Sequence, residues 1–358
     1  MSLIGSGTLL VALCLAQKPP LDDRVVAYRN IALYPIYAGL SSRPADIITL
    51  DEGIKQGTIV ITETGNTPGL IRSRPSGGVS RSQYQGGAGI GGSRPQFRQN
   101  GGAQVNTLWL TNSSGKTLLL VAGEMLLGGQ QDRIVQKDGL IPPTKTPVDL
   151  AVFCVEHGRW TAQSTQFGGL GGAAGRAGGG AFAAPSGGRA AAVVKASQTE
   201  VWSNVATQLH KLGTDNSTGT YRENYVSQKT QPAMEEYVNV LMAHFPVRQA
   251  AGVVVAINGK LIWMDRFDTR GTFAKYWPKL LKSYVLEAMS ESGPRSRFPS
   301  YREAMSFADS RDGKASFEGE EGVSKLTKVE SDLSVLYELE DLQSSPGIMV
   351  HANKVAKR

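Results

Sequence analysis

An α+β fold with a β-rich antiparallel core is predicted for this 358-residue chain by three observations. Short apolar runs of strand length dominate 25–64 and 105–155, and amphipathic stretches of helical period follow from 198. An Asn258-Gly259 pair between two apolar runs signals a hairpin with a type I′ turn. Strands grouped ahead of helices point to segregated α and β elements rather than an alternating parallel sheet. About three helices are expected.

Taken in order, 25–38 reads as a strand with a break near Pro35, and 47–57 as a loop and short helix with Asp51 as N-cap. A strand at 58–64 follows. Residues 105–112 and 117–122, joined by Ser113-Ser114-Gly115-Lys116, read as an antiparallel pair. Another strand is expected at 148–155, after the stiff Pro142-Pro143 step. Helices are expected at 198–212, where Val201, Trp202, Val205, Leu209 and Leu212 form one stripe ahead of Gly213, and at 232–243. The third, 272–290, has a wide apolar face that includes Phe273, Trp277, Leu280, Leu281, Tyr284 and Val285.

Two stretches break the pattern. Residues 65–104 and 161–196 hold much of the glycine, which totals 42 residues, and such composition buries too little apolar surface to order itself. They are expected as Gly-rich, low-complexity, disordered insertions in a domain covering 25–290. Residues 291–330 read as a polar linker, and 331–358 as a C-terminal hairpin that packs back on the domain or forms a tail.

The charge follows the insertions. Arg72, Arg74, Arg81, Arg94 and Arg98 give one segment +5, and Arg176, Arg189 and Lys195 give the other +3. Subtracting that +8 from the formal charge of +7 leaves −1 for the rest. A nucleic-acid or acidic-polymer partner is therefore expected only through the Arg/Gly segments. The stretches GLGGAAG and GRAGGGAF lack the strand, helix and downstream acid that a dinucleotide loop requires.

Residues 1–16, MSLIGSGTLLVALCLA, read as a secretory signal cleaved near Ala16, because the run 9–15 is too short to span a bilayer. The expected location is extracytoplasmic, secreted or periplasmic, with no span in the mature protein; it is cytoplasmic if the segment is not a signal. Cleavage leaves Cys154 as the one cysteine, which excludes an internal disulfide and paired-cysteine metal sites. His157, His210, His244 and His351 show no metal-binding spacing, so neither metal nor cofactor is expected.

The candidate site lies in 118–160. Glu124 interrupts about ten apolar or glycine positions, and a buried carboxylate is costly without a partner, for which Arg133 is the nearest choice. Gly128-Gly129 permits a tight turn, and Gln130, Gln131 and Asp132 add amides and an acid. The strand at 148–155 then delivers Glu156, His157, Arg159 and Trp160 at its end. The same residues also read as structure, with Glu156 and Arg159 as an ion pair and Trp160 capping the core.

GEMLLGGQQDR (123–133), CVEHGRW (154–160), Val201-Trp202, VVVAINGKLIWMDRF (253–267) and YWPKLLKSYVLEA (276–288), in that order, resemble the ARPP domain family, the ARG and rhodanese-phosphatase-superfamily-associated protein domain. The resemblance covers about residues 28 to 290. The family's first motif is commonly GEEL-GGKQNR, so Met125 stands here for an acid and Asp132 for an asparagine. By that association the resemblance implies a nucleotide-like or ADP-ribose-like ligand; it implies no established activity.

Two functions stay open. In a ligand-binding or sensor module for a polar or anionic small molecule, Arg133 and Arg159 clamp the ligand, Trp160 stacks on it, and Gln130, Gln131 and Asp132 orient it. In a hydrolase, Glu124 and Glu156 act as an acid/base pair with His157 assisting. Oligomeric state is not readable from the sequence.

Overall fold

A computed structural model describes residues 24–41, 46–64, 106–158, 164, 166–168, 182–291, 293, 297–320, 323–344 and 346–357. The expected signal 1–16, the insertion 65–104, and Arg159 and Trp160 lie outside the described residues. The class is α+β with extensive antiparallel sheet, and seven helices are present among the described residues rather than about three.

The chain opens with a hairpin of β1 (Val26–Tyr28) and β2 (Ile31–Ile36). Its break is at Arg29-Asn30, where Arg29 takes a φ of 49°, and not at Pro35. Pro35 is accommodated inside β2 because β1 pairs only as far as Leu33, which leaves Pro35 a strand neighbour on one side. After β3 (Ile47–Thr49) comes α1 (Leu50–Gln56), whose N-cap is Thr49 in a capping box with Glu52, not Asp51. Asp51 lies one residue inside the helix, free to bond elsewhere.

β4 (Ile59–Glu63) pairs with β5 (Thr107–Asn112). The expected pairing of β5 with the following strand, β6 (Thr117–Leu120), does not form. The Asn112 amide donates to the carbonyls of Lys116 and Ile141, which turns the chain out of one sheet and into another. β6 then runs parallel to β3 and antiparallel to β9 (Gly139–Ile141). β7 (Met125–Gly128), β8 (Arg133–Val135), β10 (Val148–Cys154) and β11 (Phe167–Gly168) join β4 and β5 in a six-stranded sheet of order β11-β7-β8-β10-β5-β4. The two ends of that order meet at a Thr62–Gln166 bridge, so the sheet curls into a shell. One apolar cluster fills it, with Ile59, Ile61, Leu108, Leu110, Val135, Val152 and Phe167 from the shell and Ile48, Leu118 and Ile141 from the three-stranded sheet.

The second half begins inside the expected insertion 161–196, and this corrects that reading. Residues 182–196 are structured, with α2 (Ser186–Val193) in the main core and Ala191, Ala192 and Val193 buried. A run of small residues leaves little side-chain entropy to lose, and close approach to neighbouring elements makes the burial efficient. α3 (Gln198–Leu212), α4 (Arg222–Val226) and α5 (Gln231–His244) follow. The predicted stripe of α3 is buried at Val201, Val205 and Leu209.

β12 (Gly252–Ile257) and β13 (Lys260–Phe267) form the hairpin at Asn258-Gly259, with φ of 50° and 80°. α6 (Arg270–Ser290) packs its apolar face into the main cluster. Residues 291–330 are not a linker: they carry α7 (Tyr301–Asp309), β14 (Lys314–Glu320) and β15 (Ser324–Glu330). β16 (Ser334–Asp341) and β17 (Ile348–Ala356) pair as a hairpin. An eight-stranded sheet results, in the order β1-β2-β12-β13-β17-β16-β15-β14. Its strands look polar on one face because half of each faces outward in sequence, yet α7 covers part of that face through Ala304 and Ala308. Among the described residues no helix is long and apolar enough to cross a membrane.

Candidate functional site

Strand alternation places the most informative polar groups. Ile59 and Ile61 face the shell interior, and the same period brings Glu63 inward at the end of β4. Val135 does the same for Arg133, and Val152 for Cys154, which is the register partner of Arg133. Glu63, Arg133 and Cys154 therefore meet at one mouth of the shell, and Gln131 joins them from the β7–β8 turn. Exposure is 3% for Glu63, 0% for Gln131 and 1% for Arg133.

Their hydrogen bonding is incomplete. Arg133 Nη1 donates to Gln131 O at 3.0 Å and to Gln131 Oε1 at 3.2 Å, while Nη2 stands 3.6 Å from Glu63 Oε1. That same oxygen accepts from Gln130 N at 2.9 Å. Glu63 Oε2, Gln131 Nε2 and Arg133 Nε have no partner. Burial pushes the Cys154 thiol up to about 11, against the pull of Arg133, so it is an unreactive thiol at neutral pH. The turn over the cluster needs Gly129, at φ 55°, because a Cβ there would come within 2.2 Å of Phe167 Cζ and 2.7 Å of Glu63 Oε1.

The other predicted residues are divided among different neighbours. Asp132 accepts from Gly128 N at 2.9 Å and from Thr220 Oγ1 at 3.0 Å, and its own amide donates to Glu156 Oε2 at 3.1 Å. These bonds fix the β7–β8 turn against the end of β10. His157 is exposed and packs edge-on to Trp202, with ring centroids 4.5 Å apart. Gln130 contributes its backbone amide to Glu63.

Glu124 does not pair with Arg133. Its carboxylate bonds to Lys279 of α6 and accepts from Val121 N at 2.7 Å, and Lys279 also donates to Asp51 at 2.8 Å. Nine positions of sequence separate Glu124 from Arg133, but the strand period puts Arg133 inside the shell while Glu124 meets α6. Burial pushes the Glu124 carboxyl up against the opposing pull of Lys279. Desolvation alone would lower the Lys279 ammonium, but Glu124 and Asp51 outweigh it and hold it above its ordinary range. Among the described residues Glu124 and Glu156 bond to different groups, Glu124 to Lys279 and Val121 N and Glu156 to the Asp132 amide.

A third cluster joins residues that the sequence scatters from Asp138 to Asn353. Arg189 of α2, assigned by composition to a flexible basic segment, is fully buried and forms a bidentate pair with Asp265 of β13 at 2.8 and 2.7 Å. Tyr284 also donates to Asp265. His351 Nε2 faces Asp265 Oδ1 at 3.3 Å, an ion-pair approach off the hydrogen-bond direction, and Nδ1 lies 2.6 Å from Asp138 Oδ2. Asn353 donates to Asp138 at 2.9 Å. Desolvation opposes the His351 charge, but Asp138 and Asp265 outweigh it and raise its pKa to about 9. Desolvation likewise opposes the Asp265 charge, and Arg189 outweighs it, holding the carboxyl well below the usual range. The sequence hint was a single arginine in an alanine-rich run of helical length, Ser186–Val193.

An open cleft of about 430 Å³ lies elsewhere, lined in part by Arg29, Lys211, Lys229 and Tyr237. Its cations are already engaged, Arg29 with Glu236 at 2.7 Å, Lys229 with Gly213 O at 2.6 Å and Lys211 near Glu291 at 3.5 Å. The shell mouth differs from it in holding buried polar side-chain atoms that have no partner.

Fold and site together define an α+β domain in which a small β-shell, braced by buried ion pairs against a larger sheet, carries a polar mouth. The chain belongs to the family of the ARG and Rhodanese-Phosphatase-superfamily-associated Protein domain, whose family model matches residues 23–338. The match takes in α7, β14, β15 and the first part of β16. No curated protein and no solved structure matches the chain.

Proposed function

We propose that this protein is a ligand-binding or sensor module for a small polar molecule, bound at the mouth of the β-shell by Arg133, Gln131 and Glu63. One observation carries the reading. Three buried side-chain atoms on three residues, Glu63 Oε2, Gln131 Nε2 and Arg133 Nε, have no partner. A buried polar group left unpaired costs about 1–3 kcal/mol, so a cluster of them is sustained only where something else fills the bonds. A nucleotide-like or ADP-ribose-like ligand is the specific candidate by family association.

The test is a thermal-shift screen of the full chain against ribose, ADP-ribose and nucleotides, with Gln131→Met run beside it. A ligand at about 100 times its Kd stabilises the native state by about 2.7 kcal/mol. The expected result is a shift with at least one ligand that Gln131→Met removes while keeping its own unfolding transition. Identical shifts in the variant, or none in either protein, would sink the proposal.

A further inference from the structure

The donors and acceptors left open at the shell mouth are specific about charge. Arg133 and Glu63 face each other across 3.6 Å, so the pair brings no net charge to the mouth. The open positions are two donors, Arg133 Nε and Gln131 Nε2, and one acceptor, Glu63 Oε2. A carboxylate offers acceptors only, and a carboxylate or phosphate alike would set a second negative charge against Glu63 in a site shielded from water. An ammonium offers donors only, and would leave the arginine and the amide unanswered. A neutral group with a donor beside an acceptor can answer both kinds of open position without adding a charge.

We infer that the site selects an uncharged donor–acceptor group, a hydroxyl pair or a carboxamide, and that Glu63 is the residue which turns anions away. This rests on the shell-mouth reading above and narrows the polar-or-anionic class to its neutral members. For a ligand of mixed character, the group seated here is the neutral end, with any phosphate outside. Glu63 gives no signal in the sequence because it closes an ordinary apolar strand, 44 residues before β5 begins at Thr107 and 67 before Gln130, from whose amide it accepts.

The experiment uses the full chain at constant ionic strength with four probes: ribose for the hydroxyl pair, acetamide for the carboxamide, and acetate and orthophosphate for the anions. Ribose or acetamide is expected to raise Tm and give saturable binding, and the two anions to give neither; whichever neutral probe binds identifies the source of the group. Glu63→Gln is expected to weaken that probe about tenfold or more, as loss of a hydrogen bond to a charged acceptor does, and to gain acetate binding from the uncompensated Arg133. Should Glu63→Gln fail to fold, Gln131→Met decides: weakened neutral binding with no gain for acetate supports the inference, and unchanged binding overturns it. Tighter binding of acetate or orthophosphate than of either neutral probe by the wild type would overturn the inference and leave the binding module standing. Silence with all four probes overturns the inference and leaves ordered water as the occupant, while the screen with ADP-ribose and nucleotides decides the binding module by itself.

Discussion

Replacing Arg189 with methionine tests whether the buried clusters hold the two halves of the molecule together. The guanidinium is fully buried and makes two bonds to Asp265 at 2.8 and 2.7 Å and one to Ala122 O at 3.2 Å. It also lies 4.3 Å over the ring of Trp263. The variant leaves Asp265 fully buried with its main counter-charge gone. Removing one partner of a buried pair costs about 3–5 kcal/mol, more than the pair itself contributes over a hydrophobic replacement. At about 2–4 °C per kcal/mol for chains of this order, Tm falls by roughly 6–20 °C. Urea unfolding at pH 7 measures the loss, and a double-mutant cycle with Asp265→Leu is expected to show coupling of about 1 kcal/mol or more. A loss below about 1 kcal/mol for the single variant, or additive losses in the cycle, would refute the reasoning.

Further outcomes follow from the same structure. His351 has a folded pKa of about 9 against an ordinary 6.5, so its stabilisation is complete below about pH 6.5 and is lost as pH rises through 9. Unfolding free energy is expected to fall by about 3 kcal/mol from pH 6 to 10, and His351→Gln to flatten that slope in pH-dependent denaturation. Asp265 works in the opposite sense: its lowered pKa gives stability present above the ordinary aspartate range and lost on acidification. Gly129→Ala meets both a φ of 55° and a Cβ contact of 2.2 Å with Phe167, and is expected to cost about 1–3 kcal/mol in thermal unfolding. Thr49→Ala removes the capping box of α1 and should cost about 1 kcal/mol by the same measurement, whereas Asp51→Asn leaves the cap intact.

Locally encoded features were legible and long-range ones were not. The stripe of α3, the Asn258-Gly259 turn and the apolar face of α6 could be read because period and turn chemistry act within a few residues. The pairing of β5 with β6 is not legible because the bonds of Asn112 to Lys116 O and Ile141 O, which divert the chain, involve a residue 29 positions away. The need of Glu124 for a partner is legible in the sequence, but its partner is not the nearest cation: Lys279 lies 155 positions on. The polar residues 291–330 resembled a linker because their strands alternate polar and apolar positions, and only assembly into the eight-stranded sheet shows which face is buried.

By itself the sequence determined the α+β class, the helix that carries Lys279, the strand that carries Cys154, and the Gly128-Gly129 turn, since each depends on propensity and alternation along a few residues. Only the tertiary structure decided that Glu63 faces Arg133, that Lys279 answers Glu124, and that Arg189 is a core residue rather than part of a basic tail. Those choices are made where water is excluded. A charge there is held by whatever counter-charge folding brings within about 4 Å, and distance along the chain places no limit on which one that is.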